Sequence, residues 1–211
     1  MPLLPLIIAM NPAPAADVRL PLPRPSVESA VLAEINQARS DPAGFARSLR
    51  DYRAAYRGNL IVRPEEGEAF LTQEGVAPVD EAIAFVEARR ARAPLAPAGI
   101  LAAAAAEHQA EQGDDGSVGH AGRDGSMPAD RVRRRGGDAY VGEVIAYGSA
   151  DPADIVRQLV VDDGVADRGH RRLLFDDSLR YAGVACGPHP VYRHMCVVTL
   201  GRTPDGRPLR G

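Results

Sequence analysis

Residues 181–200 read YAGVACGPHPVYRHMCVVTL, two apolar stretches on either side of a Gly-Pro-His-Pro-Val-Tyr connection. Each stretch alternates at period two, which predicts strands over about Tyr181–Cys186 and His194–Leu200. Val184 and Cys186 share one face with Cys196, Val198 and Leu200, while Gly183, Ala185, Val197 and Thr199 take the other. Both faces are largely apolar, so helices are expected to cover the sheet on both sides. The short connection makes the strands antiparallel neighbours. Cys186 and Cys196 then stand on one face at nearly matching distances from the turn, as a cross-strand disulfide requires. Two buried thiols are the alternative reading. Closing so short a loop with a disulfide would contribute roughly 2–3 kcal/mol in the chain-entropy model.

Upstream of this pair the punctuation is mostly helical. Ser26 is positioned to cap a helix that carries Val27, Val31, Ile35 and Ala38 and runs to about Arg39. Asp41-Pro42 combines a capping carboxylate with proline at the first helical position and starts a second helix. Leu60–Val62 and Phe70–Thr72 suggest a short hairpin, and a third helix is expected over about Pro78–Ala91, broken by Pro94 and Pro97. The alanine-rich run Gly99–Gln112 predicts a closely packed central helix with Leu101, Ala104, Ala105 and His108 on one face. A glycine-rich loop, 113–125, follows. Next come a short helix capped by Ser126 (about Pro128–Arg135), a strand (Tyr140–Tyr147), a helix (about Pro152–Asp163) and a brief helix (Gly169–Leu174).

Composition narrows the function classes. The chain has 211 residues, 45% hydrophobic and 25% charged, which suits one sizeable globular domain. Its net charge of −3 gives no broad basic footprint for nucleic acid. Every basic side chain is arginine, so lysine-based Schiff-base and phosphate-loop chemistry is excluded. No apolar run reaches the roughly 18–20 residues of a spanning helix, and an integral membrane protein is not expected. Residues 1–16 are uncharged. Leu3–Met10 followed by Ala13-Pro14-Ala15 resembles a secretory signal without its positive start, and a disordered arm is the other reading. The domain is expected over 26–203, with 204–211 a flexible tail.

Three residues stand out for chemistry. On the predicted strand, Glu143 shares a face with Val141, Ile145 and Tyr147, and a carboxylate there needs a partner unless the strand end reaches solvent. His120 lies in the glycine-rich loop, and His170 sits in the first turn of the brief helix. Asp162 and Asp163 end the preceding helix, where the macrodipole disfavours them and calls for compensation. His108 reads as a core residue, His189 and His194 as exposed residues beside the hairpin turn, and Arg131, Arg133, Arg134 and Arg135 as a solvated helix face. No nucleophile elbow, dinucleotide fingerprint, phosphate loop or Cys-x-x-Cys pair is present.

Four segments in this order resemble the CAP superfamily of cysteine-rich secretory, antigen-five and pathogenesis-related proteins, in its bacterial and protist branch. They are Gly119-His120 with Arg123–Ser126; Val141–Tyr147; Asp162–Val165 leading to Arg168–Arg171; and Ala182–His189 with Met195–Val198. They cover about residues 95–201. The resemblance implies an α+β fold, a three-layer α-β-α sandwich with a small, mainly antiparallel sheet. It also implies a cleft built by two histidines and two acids and able to hold a divalent cation, zinc foremost. Carried over, His120 and His170 are the metal ligands and Glu143 the first acid. Asp162 or Asp163 is favoured as the second acid, with Asp167 also near. Val144 stands where the family commonly has asparagine, and the usual tryptophan before the second histidine motif is absent.

Two functions follow as expectations. One is a secreted or periplasmic binding module for a lipid, sterol, glycan or protein. The other is a metal-assisted, peptidase-like hydrolase with Glu143 and His170 as its catalytic groups.

Overall fold

A computed structural model of the chain describes residues 25–63 and 68–208. The signal-like segment 1–16 lies outside the described residues. Ser26 accepts from the Ser29 amide and Asp41 from the Gly44 amide, and these caps start α1 (Val27–Ser40) and α2 (Pro42–Ala54). A small antiparallel sheet follows, with β1 (Tyr56–Arg57), β2 (Leu60–Arg63) and β3 (Glu68–Leu71) in that order. The predicted hairpin is its β2–β3 pair. Next, α3 (Ala77–Glu87) ends four residues before the expected Ala91. The proline-containing stretch after it is extended and supplies β4 (Ala96–Pro97), a strand not anticipated from the sequence.

The central layer is a sheet of order β4-β6-β7-β5, made with β5 (Val141–Tyr147), β6 (Tyr181–His189) and β7 (Arg193–Gly201). Only β4 pairs in parallel. One face carries α4 (Gly99–Asp115) and α5 (Pro128–Arg134), and the other carries α1, α6 (Pro152–Val161) and α7 (Gly169–Leu174). This is the expected α-β-α sandwich. The period-two reading of the strands holds. Val184, Cys186, Cys196, Val198 and Leu200 join the core on the α1 and α6 side. Ala185 and Val197 pack with Ile145 and Ala105 on the α4 side.

Gly183 shows how close α4 lies. A Cβ there would stand 1.9 Å from the Ala102 amide nitrogen, so only glycine lets helix and sheet meet. The hairpin extends beyond its predicted ends, to His189 opposite Arg193. Pro188 fits in β6 because that stretch has no strand on its outer side.

Three local expectations need correction. His189 is buried, not exposed. Its Nε2 donates to Ser117 O at 3.0 Å, and its Nδ1 accepts from the amides of Val191 and Tyr192, holding the hairpin tip. Ser126 does not cap α5; Met127 is the cap residue, and its amide donates to Asp130. The chain does not come loose at 204, because Asp205 O and Gly206 O accept from the amides of Asp138 and Tyr140. His108 is fully buried, as expected.

Cys186 and Cys196 are directly opposite one another and form a disulfide. They occupy a non-hydrogen-bonded position of the ladder, where Cα atoms approach most closely, here to 4.1 Å.

Candidate functional site

β5 carries Glu143 on its α4 side, opposite Thr199 of β7. The carboxylate is 1% exposed and its partner is Arg131, itself fully buried. One guanidinium nitrogen, Nη2, lies 3.0 Å from each carboxylate oxygen. Arg131 is therefore not on a solvated helix face. It turns inward from α5 and supplies the partner that the strand pattern required of Glu143, making a charge pair inside the protein. The same guanidinium donates to His120 O and Ser126 O, so it also fixes both ends of the 120–126 loop.

His120 follows Gly119, whose φ of 93° is a conformation suited to glycine. Gly119 is held from three sides. Its amide donates to the Tyr147 hydroxyl, and its carbonyl accepts from His108 Nε2 and Gln112 Nε2. The His120 ring then meets Glu143, with Nδ1 3.0 Å from Oε1.

The second half of the site is built at the junction of α6 and α7. Asp162 ends α6 in a left-handed conformation, φ 62°, which aspartate tolerates better than most residues. Its buried carboxylate accepts from the His170 and Arg171 amides and from His170 Nδ1, the last at 2.7 Å. The macrodipole mismatch at the end of α6 is thus resolved by the amides that open α7. Asp163 points elsewhere and accepts from the Gln73 and Glu74 amides. Asp167 pairs with Arg172 at the surface. Of the three aspartates, only Asp162 joins the site.

Arginines also fix this half. Arg168 donates to Asp162 O and grips Glu74 and Glu81. Those hydrogen bonds hold Glu74 down at about 2 and raise Arg168 above its usual range. Arg171 is buried among the carbonyls of Pro78, Val160 and Val161, and its desolvation lowers its pKa.

The two imidazoles face each other with centroids 6.3 Å apart and planes tilted by 59°. Both carboxylates act as acceptors, so each Nδ1 donates its proton to its carboxylate, and in the neutral ring Nε2 is the nitrogen left with a lone pair. His120, Glu143, Asp162 and His170, drawn from four elements, form one constellation.

The profile of the CAP family, described as the cysteine-rich secretory protein family, matches residues 32–200. This chain belongs to the CAP family. Among solved structures, it resembles an extracellular protein containing an SCP domain from Bacillus anthracis. The identity is 22% and the TM-score 0.43, over 52% of this chain and 34% of that one. It also resembles an outer surface protein from Borrelia burgdorferi, at 16% identity and TM-score 0.43, over 68% and 97% of the two chains. The chain thus spans about a third of the length of the Bacillus protein. The comparison with curated proteins gives no match.

As a metal centre, this CAP domain has donors of the right kind. A histidine that binds a metal commonly hands its other ring N–H to a carboxylate, as both do here. Their spacing is less suitable. Two imidazoles on one tetrahedral zinc at about 2.1 Å have centroids roughly 5 Å apart, so the rings stand about 1 Å too far from each other. Both carboxylates are committed to hydrogen bonds. Among the described residues, no group of three or more His, Cys, Asp or Glu is placed to hold an ion.

Arg131 is the site residue that sequence reasoning missed. The signal was available in Glu143 itself, a predicted inward carboxylate that required a cation.

Proposed function

We propose that this CAP domain is an extracytoplasmic ligand-binding module, with His170 and Asp162 of the constellation lining its binding groove. The observation that carries this is the way the cleft opens. His170 and Asp162 line one groove of about 950 Å³ together with Ile145, Tyr147, Tyr52 and Tyr192. That volume is at the upper end of small-molecule sites, and the lining is a mixture of aromatic and polar groups. The disulfide and the secretory family description support a location outside the cytoplasm. Among the described residues, no helix is long and apolar enough to cross a membrane.

A divalent cation belongs to this proposal as a weak addition. His120 and His170 would hold it through Nε2 after a small approach of the rings, with water completing the shell. Glu143 and Asp162 would orient the rings and leave the ion to the imidazoles. Such an ion could polarise a bound carbonyl or hydroxyl group.

The hydrolase reading is less well supported. Glu143 has both oxygens on Arg131 and one also near His120, so it is poorly placed to take a proton from water. Calorimetric titration with zinc, calcium and magnesium tests the cation. The expected outcome is zinc binding, weaker than at three-ligand sites and abolished in a His120→Ala/His170→Ala variant. Equal zinc uptake by that variant would remove the cleft from the proposal.

A further inference from the structure

The outer edge of the central sheet runs along this groove. β5 is the last strand of the sheet and pairs only with β7. The Gly148 amide donates to His194 O at 2.9 Å, which sets the phase of the ladder. Gly142, Val144, Ala146 and Gly148 therefore bond to β7, and the intervening residues turn their N–H and C=O groups outward. Two of these, Ile145 and Tyr147, line the groove beside His170 and Asp162. Among the described residues, nothing bonds to their backbone groups.

We infer that the groove's ligand is an extended polypeptide segment that adds to β5 as a further strand. The inference rests on the binding-module reading and specifies its ligand class. Ile145 and Tyr147 offer donor and acceptor pairs at a two-residue repeat, roughly 7 Å, which an extended backbone matches. An acyl chain would cover the same amides and carbonyls without replacing their bonds to water, an unfavourable exchange. Side chains of the incoming strand would alternate between the cleft and the wall that holds Tyr52, Tyr56 and Ile61. Four aspartates (Asp151, Asp154, Asp162, Asp163) and two arginines (Arg157, Arg193) line the groove, which favours a neutral or basic peptide.

The test screens the whole chain against a random dodecapeptide library and then scans the best binder with single N-methyl groups. N-methylation removes one amide donor from the peptide and leaves the protein unaltered. The expected result is alternation: at every second residue affinity falls roughly tenfold, the upper range of one net hydrogen bond, and intervening residues tolerate the change. An Ile145→Pro variant, which loses an outward N–H and no β7 bond, should weaken binding similarly; if it fails to fold, the N-methyl scan decides alone.

No binder from the library, or an N-methyl pattern without alternation, overturns the inference. If phosphatidylcholine vesicles or a glycan array bind while peptides do not, the binding module stands and the peptide inference falls. If peptides, vesicles and glycans all fail, both fall.

Discussion

The guanidinium of Arg131 and the carboxylate of Glu143 meet 3.0 Å apart with neither side chain more than 1% exposed. The pair connects α5, β5 and, through His120 O, the cleft loop. Removing one partner leaves a buried charge uncompensated, a change that typically costs about 3–5 kcal/mol. Arg131→Met should therefore lower stability by that order in urea unfolding. Arg131→Met combined with Glu143→Leu should recover much of the loss. A single variant as stable as the parent would show that the pair is not buried in solution.

The ring tautomers follow from the two acids. Long-range nitrogen–proton NMR near neutral pH should show the proton of both His120 and His170 on Nδ1. Asp162→Ala should release His170 to a mixture of tautomers and leave His120 unchanged. It should also cost about 1–3 kcal/mol, because the His170 and Arg171 amides lose their acceptor. An unchanged His170 signal in that variant would contradict the assigned geometry.

Gly183 should not accept a side chain. The nearest atoms to an added Cβ are backbone atoms of Leu101 and Ala102, at 2.1 and 1.9 Å, and neither can rotate away. Gly183→Ala should cost about 3 kcal/mol or more, at or beyond the upper end of overpacking effects. Thermal unfolding measures it, and Gly99→Ala, with no atom within 4 Å of its added Cβ and no positive φ, controls for the general effect of adding a methyl group at a glycine.

The disulfide joins residues ten apart in sequence. In the chain-entropy model, a loop of that size contributes roughly 2–3 kcal/mol, so Cys186→Ala/Cys196→Ala should unfold at correspondingly lower urea. Thiol labelling of unreduced, denatured protein should detect no free cysteine. Two labelled thiols would exclude the bridge.

Acid should loosen the loop before His170. Glu74 is held at about 2 against an ordinary 4.5, chiefly by its hydrogen bond from Arg168. A depressed carboxylate contributes stability above its unfolded value, and that contribution is lost as the pH falls through its folded value. Protection of the Gly164 amide, which donates to Glu74, should therefore decline between about pH 4.5 and 2. In Arg168→Gln, the Glu74 carboxyl should titrate nearer 4.5, as carbon NMR would read.

Much of the fold is legible in local pattern. Ser26 and Asp41 start helices where a capping oxygen precedes an apolar stripe, and the alternation in 181–186 and 194–200 assigns both sheet faces. Elements whose existence depends on a distant partner are not legible. β4 is two residues long and forms only because β6 lies beside it. α3 ends early, at Glu87, and local signals did not set that end.

The site divides in the same way. Glu143 was identifiable as a residue needing a partner and His120 and His170 as candidates for chemistry, and the choice between Asp162 and Asp163 was open because both satisfy the same spacing. Folding decides it, since only Asp162 takes the left-handed turn that brings its carboxylate under the opening amides of α7.

The sequence by itself determined the strand periodicities, the Ser26 and Asp41 caps and the side chains able to do chemistry, because each depends on neighbours within a few residues. The tertiary structure decided that Arg131 turns inward, that His189 is buried, and that the open edge of β5 borders the cleft. Those outcomes depend on which distant groups compete for a given hydrogen bond or buried volume, and that competition exists only once the layers have packed.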